Sequence, residues 1–255
     1  MGVGALGVTW RSRLPDGTAV ALKRLAAPSR EPDPRLEQLQ RLGDLGHGNL
    51  LGLLSVFQED GHVWVASRLN DGVSLNRVLE GKRMRPACAV AIGMAVLDGL
   101  TALHAVGIWH GAVHGRNVHV GLDGTVRLGD HGLAPEPSGE SEAARRAADV
   151  RAAGVLLAAA LGMVLRTGAS RRLRPESSLS RAVRAITGSR RLLPTGNEAA
   201  HAGLTLREGA RGLATGRRQA LAREQLAAVV AEIIEGEARL APTTVGDVAG
   251  FSDGV

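Results

Sequence analysis

The feature that most narrows what this chain can fold into is a change of period along its length. Over residues 8–68 the apolar residues come in short runs divided by turn residues, and from Pro86 onward they come in long stretches of helical length. Val8–Arg13 and Thr18–Arg24 read as strands around Leu14-Pro15-Asp16-Gly17, where Pro presets the backbone and Gly tolerates positive φ. Leu51–Phe57 and His62–Arg68 form a second such pair around Glu59-Asp60-Gly61. Between the pairs lies a polar linker, Ala27–Pro34. Leu36, Leu39, Leu42 and Leu45 then predict a helix from Pro34 or Arg35 to Leu45. Ser74 can cap a short helix to Leu79. Pro86–Val106 is a nearly all-apolar helix. Val118–Val120 and Val126–Leu128 flank Asp123-Gly124 as a hairpin. Pro135–Glu142 reads as a loop and Ala147–Leu165 as an apolar helix. Gln219–Glu235 reads as a last helix, with Leu221, Leu226, Val229, Val230, Ile233 and Ile234 on one side. Sheet first and helices second is an α+β pattern. It divides the chain into residues 1–69, 70–240 and a tail, 241–255.

Only 2% of the 255 residues are aromatic and none is Tyr, so Ala, Val and Leu must fill the core. The formal charge of +6 owes much to Arg171, Arg172, Arg174, Arg190, Arg191, Arg217 and Arg218. These read as a solubilising surface. No aromatics interleave with them, so nucleic acid is not an expected partner. A single cysteine, Cys88, excludes an internal disulfide and fits a reducing compartment, which makes cytoplasmic location the default. No charged leader with an apolar stretch opens the chain. The longest membrane-like stretch, Ala152–Leu165, is too short to span a bilayer, so no membrane span is expected.

Three groups of residues carry chemistry. Gly2-x-Gly4-x-x-Gly7 is a pattern whose backbone N–H groups can approach phosphate oxygens. Lys23 stands inside the apolar run Val20-Ala21-Leu22-Lys23; a buried ammonium needs a carboxylate or a phosphate, whereas an edge lysine snorkels to water. The Asp123-Gly124 hairpin can bring Asn117 and Asp130 together as oxygen ligands for Mg²⁺; in the plainer reading the two merely cap loops.

Taken in order, these motifs resemble the eukaryotic-type Ser/Thr protein kinases of bacteria, and the resemblance covers roughly residues 2–161. Gly2 to Arg11 is similar to the glycine-rich loop and second strand of that family, and Val20–Lys23 to its third strand with the phosphate-pairing lysine. His47-Gly48-Asn49 resembles the turn before its fourth strand. Residues 68–72 fall at its hinge. His110–Asn117 resembles its catalytic loop, Asp130-His131-Gly132 its metal-binding Asp-Phe-Gly, and Asp149 with Gly154 the start of its central helix. The resemblance implies a bilobal protein-kinase-like fold, with a small antiparallel-sheet lobe over a helical lobe. It also implies ATP with Mg²⁺ as ligands, held by Gly2, Gly4, Gly7, Ala21, Lys23, Asn117 and Asp130, the last two at the metal. The role expected of Asp149 is to accept backbone N–H groups near His110.

The departures point away from turnover. Ala112 stands where the family has its catalytic Asp, and a methyl can neither orient nor deprotonate a hydroxyl. Gly111 replaces the adjoining Arg. His114 replaces the phosphate-contacting Lys and is the only substitute base worth naming beside His110. The segment from Gly132 to Asp149 is short, and Ala134-Pro135-Glu136 comes too early to close a substrate platform. Loss of that platform and loss of the arginine count as two independent deletions. Against nucleotide binding stand His119 in place of a leucine, Thr9 in place of a valine, and an uncertain helical partner for Lys23, Gln38 or Glu37. The glycine pattern begins without the strand that should precede it, which predicts a truncated first strand. The expected function is a non-catalytic scaffold or allosteric partner of another protein in bacterial signalling. The alternative is an active or atypical Ser/Thr kinase using Lys23, Asn117 and Asp130.

Overall fold

The computed structural model describes residues 2–4, 6–25, 35–43, 45–80, 84–134, 139–163, 177–188 and 198–240. The expected linker 27–34, most of the expected arginine surface (171–174, 190 and 191) and the tail 241–255 lie outside the described residues.

The N-terminal part is a five-stranded antiparallel sheet. Its strands are β1 (Gly2–Gly4), β2 (Gly7–Arg13), β3 (Ala19–Leu25), β4 (Leu53–Glu59) and β5 (His62–Arg68), in spatial order β1-β2-β3-β5-β4. Helix α1 (Arg35–Gly43) packs on it through the fully buried Leu39 and Leu42. The glycine pattern is not wholly loop: Gly2–Gly4 pairs with β2 as an edge strand, Gly2 opposite Thr9 and Gly4 opposite Gly7. Gly7 has φ +134, and a Cβ there would stand 1.9 Å from the Arg24 carbonyl oxygen, so only glycine lets β2 approach β3 at that end. On one face Trp10, Trp64 and Phe57 stack in sequence, with ring centroids 5.7 and 6.2 Å apart, and the Arg24 guanidinium lies 5.9 Å from the Trp10 ring. Trp10 thus helps cover this face of the sheet.

A second, three-stranded sheet joins the two parts. It contains β6 (Val73–Ser74), β7 (Val118–Val120) and β8 (Val126–Leu128), and short helix α2 (Leu75–Leu79) follows β6. Ser74 occupies the N-cap position of α2 without a side-chain cap bond. The 47–49 turn docks on this sheet. The Asn49 N–H donates to His47 Nδ1 at 3.2 Å, its side chain donates to the Val126 carbonyl at 2.9 Å, and Leu50 bridges Leu128. The hairpin β7–β8 keeps the expected boundaries, with Gly124 at φ +73.

The helical part is built around α3 (Pro86–Ala105), packed against α4 (Glu142–Ala160), α6 (Glu198–Gly209) and α7 (Gly216–Leu240); α5 (Ser178–Thr187) packs on α4 and α6. Among the described residues, α3 rather than residues 152–165 is the helix long and apolar enough to cross a membrane. Ile92, Val96, Leu97, Leu100 and Leu103 are buried in the core, so its apolar character is satisfied by packing. Helix α4 starts five residues before the expected Ala147, because Ser141 caps it by accepting from the Ala144 N–H at 3.2 Å. Helices α5 and α6 arise between the expected helices 147–165 and 219–235, where the sequence reading placed no element. On α7, Leu226 and Val230 are buried, but Leu221 is 52% exposed and does not belong to the apolar side.

Candidate functional site

Two of the expected site residues, Lys23 and Asp130, meet where the two parts join. Lys23 sits in the middle strand of the sheet, opposite Thr9 on one side and Val65 on the other. Its ammonium makes an ion pair with the Asp130 carboxylate, at side-chain exposures of 12% and 32%. This answers the question of its anion: the partner is Asp130, not Gln38 or Glu37, and Glu37 is exposed on α1. The two charges compensate one another in a part-buried setting, where an unpaired ammonium would be costly. Beneath them Leu51, Leu53, Val65, Ser67, His131 and Leu133 close a cavity of about 20 Å³, room for a single water.

The catalytic-loop segment is held from below by Asp149 on α4, which is 3% exposed. Its Oδ2 accepts the His110 N–H at 2.7 Å and its Oδ1 accepts the Gly111 N–H at 2.9 Å. This is the backbone-anchoring geometry expected of it. One further donor was missed in the sequence: buried His104 reaches Asp149 Oδ2 through Nε2 at 3.0 Å. His47 and His110 hold their own turns. His110 Nδ1 accepts the Ala112 N–H at 3.2 Å, so the backbone on either side of Ala112 is fixed.

Strand register sets the backbone of Asn117 opposite the residue that precedes Asp130. Val118 pairs with Leu128, which leaves Asn117 opposite Gly129, and the Gly129 N–H donates to the Asn117 carbonyl at 2.8 Å. Asp130 follows at once, in a left-handed conformation with φ +57 that few residues other than Gly, Asn and Asp tolerate. The Asn117 side-chain nitrogen donates to the Ala112 carbonyl at 3.0 Å, so its oxygen is the atom left for a ligand. An amide oxygen and a carboxylate on adjoining ends of one hairpin, with a lysine ammonium beside them, suit a hard cation carrying phosphate oxygens. The residues present therefore fit a metal–nucleotide group. Ala21 lies two residues before Lys23, paired with Arg11 and Ser67. Half-buried His119 faces Gly129, whose added Cβ would lie 3.0 Å from its Nε2. Burial lowers the His119 pKa, Asp130 pulls it up and Lys23 lowers it.

His131, in place of the family's Phe, is buried, and its ring centroid is 6.3 Å from that of His110 in an edge-on arrangement. Burial drives the His131 pKa down to about 4, aided by the nearby His110; a hydrogen bond with the Leu128 backbone and the Asp130 charge act the other way. Burial also lowers the pKa of His110.

Ala112 lines an open cleft of about 660 Å³ with Trp109, His114, Ala134, Arg145 and Ala148 among its walls. The Arg145 guanidinium lies over the Trp109 ring at 4.3 Å. The chain covers the distance from Gly132 to the start of α4 in residues 133–141, of which residues 135–138 lie outside the described residues. Ala134 folds directly against the catalytic loop. Gly111 has φ +76, and a Cβ there would stand 2.6 Å from the Ala134 Cβ. The missing arginine and the short segment are therefore not two independent losses. With Ala134 in this place, position 111 excludes any side chain, arginine included.

Fold and site together define a protein-kinase-type architecture. The model of the protein kinase domain family matches residues 1–158, and the chain belongs to that family. It is similar to the probable serine/threonine-protein kinase mkcC of Dictyostelium discoideum, 26% identical over 119 residues, which are 46% of this chain and 13% of that protein. It is also similar to human serine/threonine-protein kinase PAK 4, 26% identical over 125 residues, 49% of this chain and 21% of that protein. The chain thus spans about a fifth or less of the length of these curated relatives. Among solved structures, the kinase domain of Mycobacterium tuberculosis PknI superposes with a TM-score of 0.61 at 21% identity, covering 82% of this chain and 93% of that one.

Proposed function

We propose that this chain is a pseudokinase: a kinase-fold domain that takes up ATP with a divalent ion and serves as a scaffold or allosteric partner of another protein, without transferring phosphate. One observation carries the reading. Ala112 presents a methyl from a loop whose frame, the Asp149 carboxylate on the His110 and Gly111 N–H groups, is intact. The loop is built and its reactive group is missing. General-base catalysis contributes roughly 10²–10⁴ in rate, and positioning of the acceptor adds to that. In the bound state Lys23 would pair with phosphate oxygens, and Asn117 and Asp130 would hold the ion. The ion would neutralise phosphate charge, and the glycines of β1 and β2 would let backbone come close. Lys23 must first release Asp130, which keeps affinity low. A bacterial signalling setting and a reducing, cytoplasmic compartment complete the reading, in keeping with the lone, buried Cys88.

A second reading, an active or atypical Ser/Thr phosphotransferase, has its own support. Lys23, Asn117 and Asp130 are all retained at one place, and the comparisons, all to proteins named as kinases, favour it. Nucleotide binding measured calorimetrically with and without divalent ion, followed by phosphate transfer to a generic protein acceptor, separates the two. Binding without transfer is expected. Transfer that is abolished by Asp130→Ala would establish the second reading. Ala112→Asp alone is expected to stay inactive, because residues 133–141 are too few to form an acceptor platform; robust phosphorylation by that variant would overturn this account of the loss.

A further inference from the structure

The helical part keeps a cavity that the nucleotide reading does not use. It measures about 300 Å³ and opens between α2, the first turn of α3 and α7. It shares no lining residue with the Lys23–Asp130 site. We propose that this cavity binds a medium-chain alkyl carboxylate, with the chain laid between α3 and α7 and the carboxylate on Arg85.

Three observations lead to it. The first is the floor. Val78 of α2, Cys88 of α3 and Leu226 of α7 line the cavity, and all three are buried. Protein interiors leave few voids larger than a water molecule, and apolar atoms that face an empty space forgo their contacts. A volume of about 300 Å³ belongs instead to the lower end of small-molecule pockets. An apolar chain restores the missing contacts, and that size admits a chain of medium length rather than a whole membrane lipid.

The second is the polar part of the wall. The Cys88 thiol donates to Gln225 Oε1 at 3.4 Å and lies 3.7 Å from the Ala222 carbonyl oxygen, so it is committed across the α3–α7 seam. With that oxygen engaged, the Gln225 amide nitrogen is a donor without a partner among the described residues.

The third is charge at the rim. Arg85 is the only charged residue that lines the cavity. It is exposed, and among the described residues no carboxylate pairs with it. Arg77 on α2 differs in this respect, since Glu80 and Glu237 already neutralise it. Arg85 also stands at the N-cap of α3, whose positive end adds to the attraction for an anion. A guanidinium fork matches a carboxylate with two parallel N–H···O bonds. An alkyl alcohol would fill the same space without that gain, and an alkyl ammonium would be repelled.

The test titrates the whole chain calorimetrically with decanoate, and with decanol as the uncharged control. Decanoate is expected to bind at least about tenfold tighter than decanol, and Arg85→Ala should bring the two within about twofold. Ala228 lies in the cavity wall and is exposed, so Ala228→Trp obstructs the cavity without entering the core and should abolish saturable binding. Because residues 85 and 228 are exposed, both variants should unfold at the same urea concentration as the parent. Cys88 supplies a second readout. Bound decanoate joins α7 to α3 and should slow the reaction of the thiol with an aromatic disulfide reagent in sub-denaturing urea, in the parent but not in Ala228→Trp. Absence of saturable decanoate binding, equal affinity for decanoate and decanol, or binding that survives Ala228→Trp would overturn the inference. Each of these results leaves the nucleotide reading in place.

Discussion

The buried imidazole of His131 should make this domain lose stability in mild acid, and replacing it should remove much of that loss. His131 is 5% exposed and its Nδ1 has no hydrogen-bond partner, so the ring is accommodated only while neutral. Its pKa falls from an ordinary 6.5 to about 4 on folding, chiefly because burial penalises the charged ring. Above 6.5 the ring is neutral in both the folded and the unfolded chain, and the shift has no effect. Between 6.5 and about 4 the unfolded chain takes up a proton that the folded one refuses, so stability falls with pH across that window. Each pKa unit is worth about 1.36 kcal/mol, so the full loss is about 3 kcal/mol, of which about 2 kcal/mol is spent by pH 5. That is a large share of the roughly 5–15 kcal/mol by which such domains are stable. In His131→Phe the phenyl ring forfeits the bond with the Leu128 backbone and removes an unpartnered nitrogen, so at neutral pH its stability should lie within about 1 kcal/mol of the parent. Urea unfolding followed by circular dichroism at about pH 7.5 and about pH 5 measures both proteins, and the parent should lose about 2 kcal/mol more than the variant between the two. His110 adds a loss in the same direction in both proteins, which is why the comparison rather than the absolute slope is decisive. Equal losses would show that His131 accepts its proton without disturbing the fold.

Asp149→Ala leaves the buried donors of His110 and His104 and the part-buried Gly111 N–H without their acceptor, and should cost about 3–5 kcal/mol in the same urea assay. Gly7→Ala forces a Cβ against the Arg24 carbonyl at a positive φ and should lower the thermal midpoint and weaken any nucleotide binding; an unchanged midpoint would show that the β2–β3 end relaxes freely. Cys88 is buried, its thiol pKa is raised by burial, and its sulfur contacts the Ala222 carbonyl and the Gln225 side chain. Its reaction with an aromatic disulfide reagent at neutral pH should be slow and should quicken in sub-denaturing urea, as α7 opens from α3.

Much of the fold was legible because the signals were local. Strand His62–Arg68 and the hairpin around Asp123-Gly124 kept their boundaries, and α3 began at Pro86 as its apolar run required. Asp149 could be assigned its role through the resemblance of Asp149 and Gly154 to the start of the family's central helix. What escaped depended on partners distant in sequence. The Lys23–Asp130 pair spans 107 residues, and its possibility had been divided between a helical partner and a phosphate. The pairing of His104 with Asp149 and the collision that keeps position 111 a glycine belong to the same class. Two misses were avoidable. Leu179, Ala182, Val183 and Ile186 recur at helical spacing, as do Ala199, Ala202 and Leu206, but the surrounding arginines and glycines mask the pattern. Ser141 followed by Glu142 was likewise a helix start in plain view.

Helix α7 reaches back across the whole helical part. Arg223 grips Asp123 at the tip of the β7–β8 hairpin, 100 residues earlier, at 2.9 Å, and Arg77 on α2 pairs with Glu237, 160 residues later. During synthesis the hairpin that aligns Asn117 with Asp130 leaves the ribosome long before this brace exists. Until residues 216–240 follow, one flank of α3 stays bare, and the contacts that cover it close only across very long loops. A nascent chain of this kind exposes apolar surface for that interval, and the hairpin gains its brace only once residues 216–240 have been made.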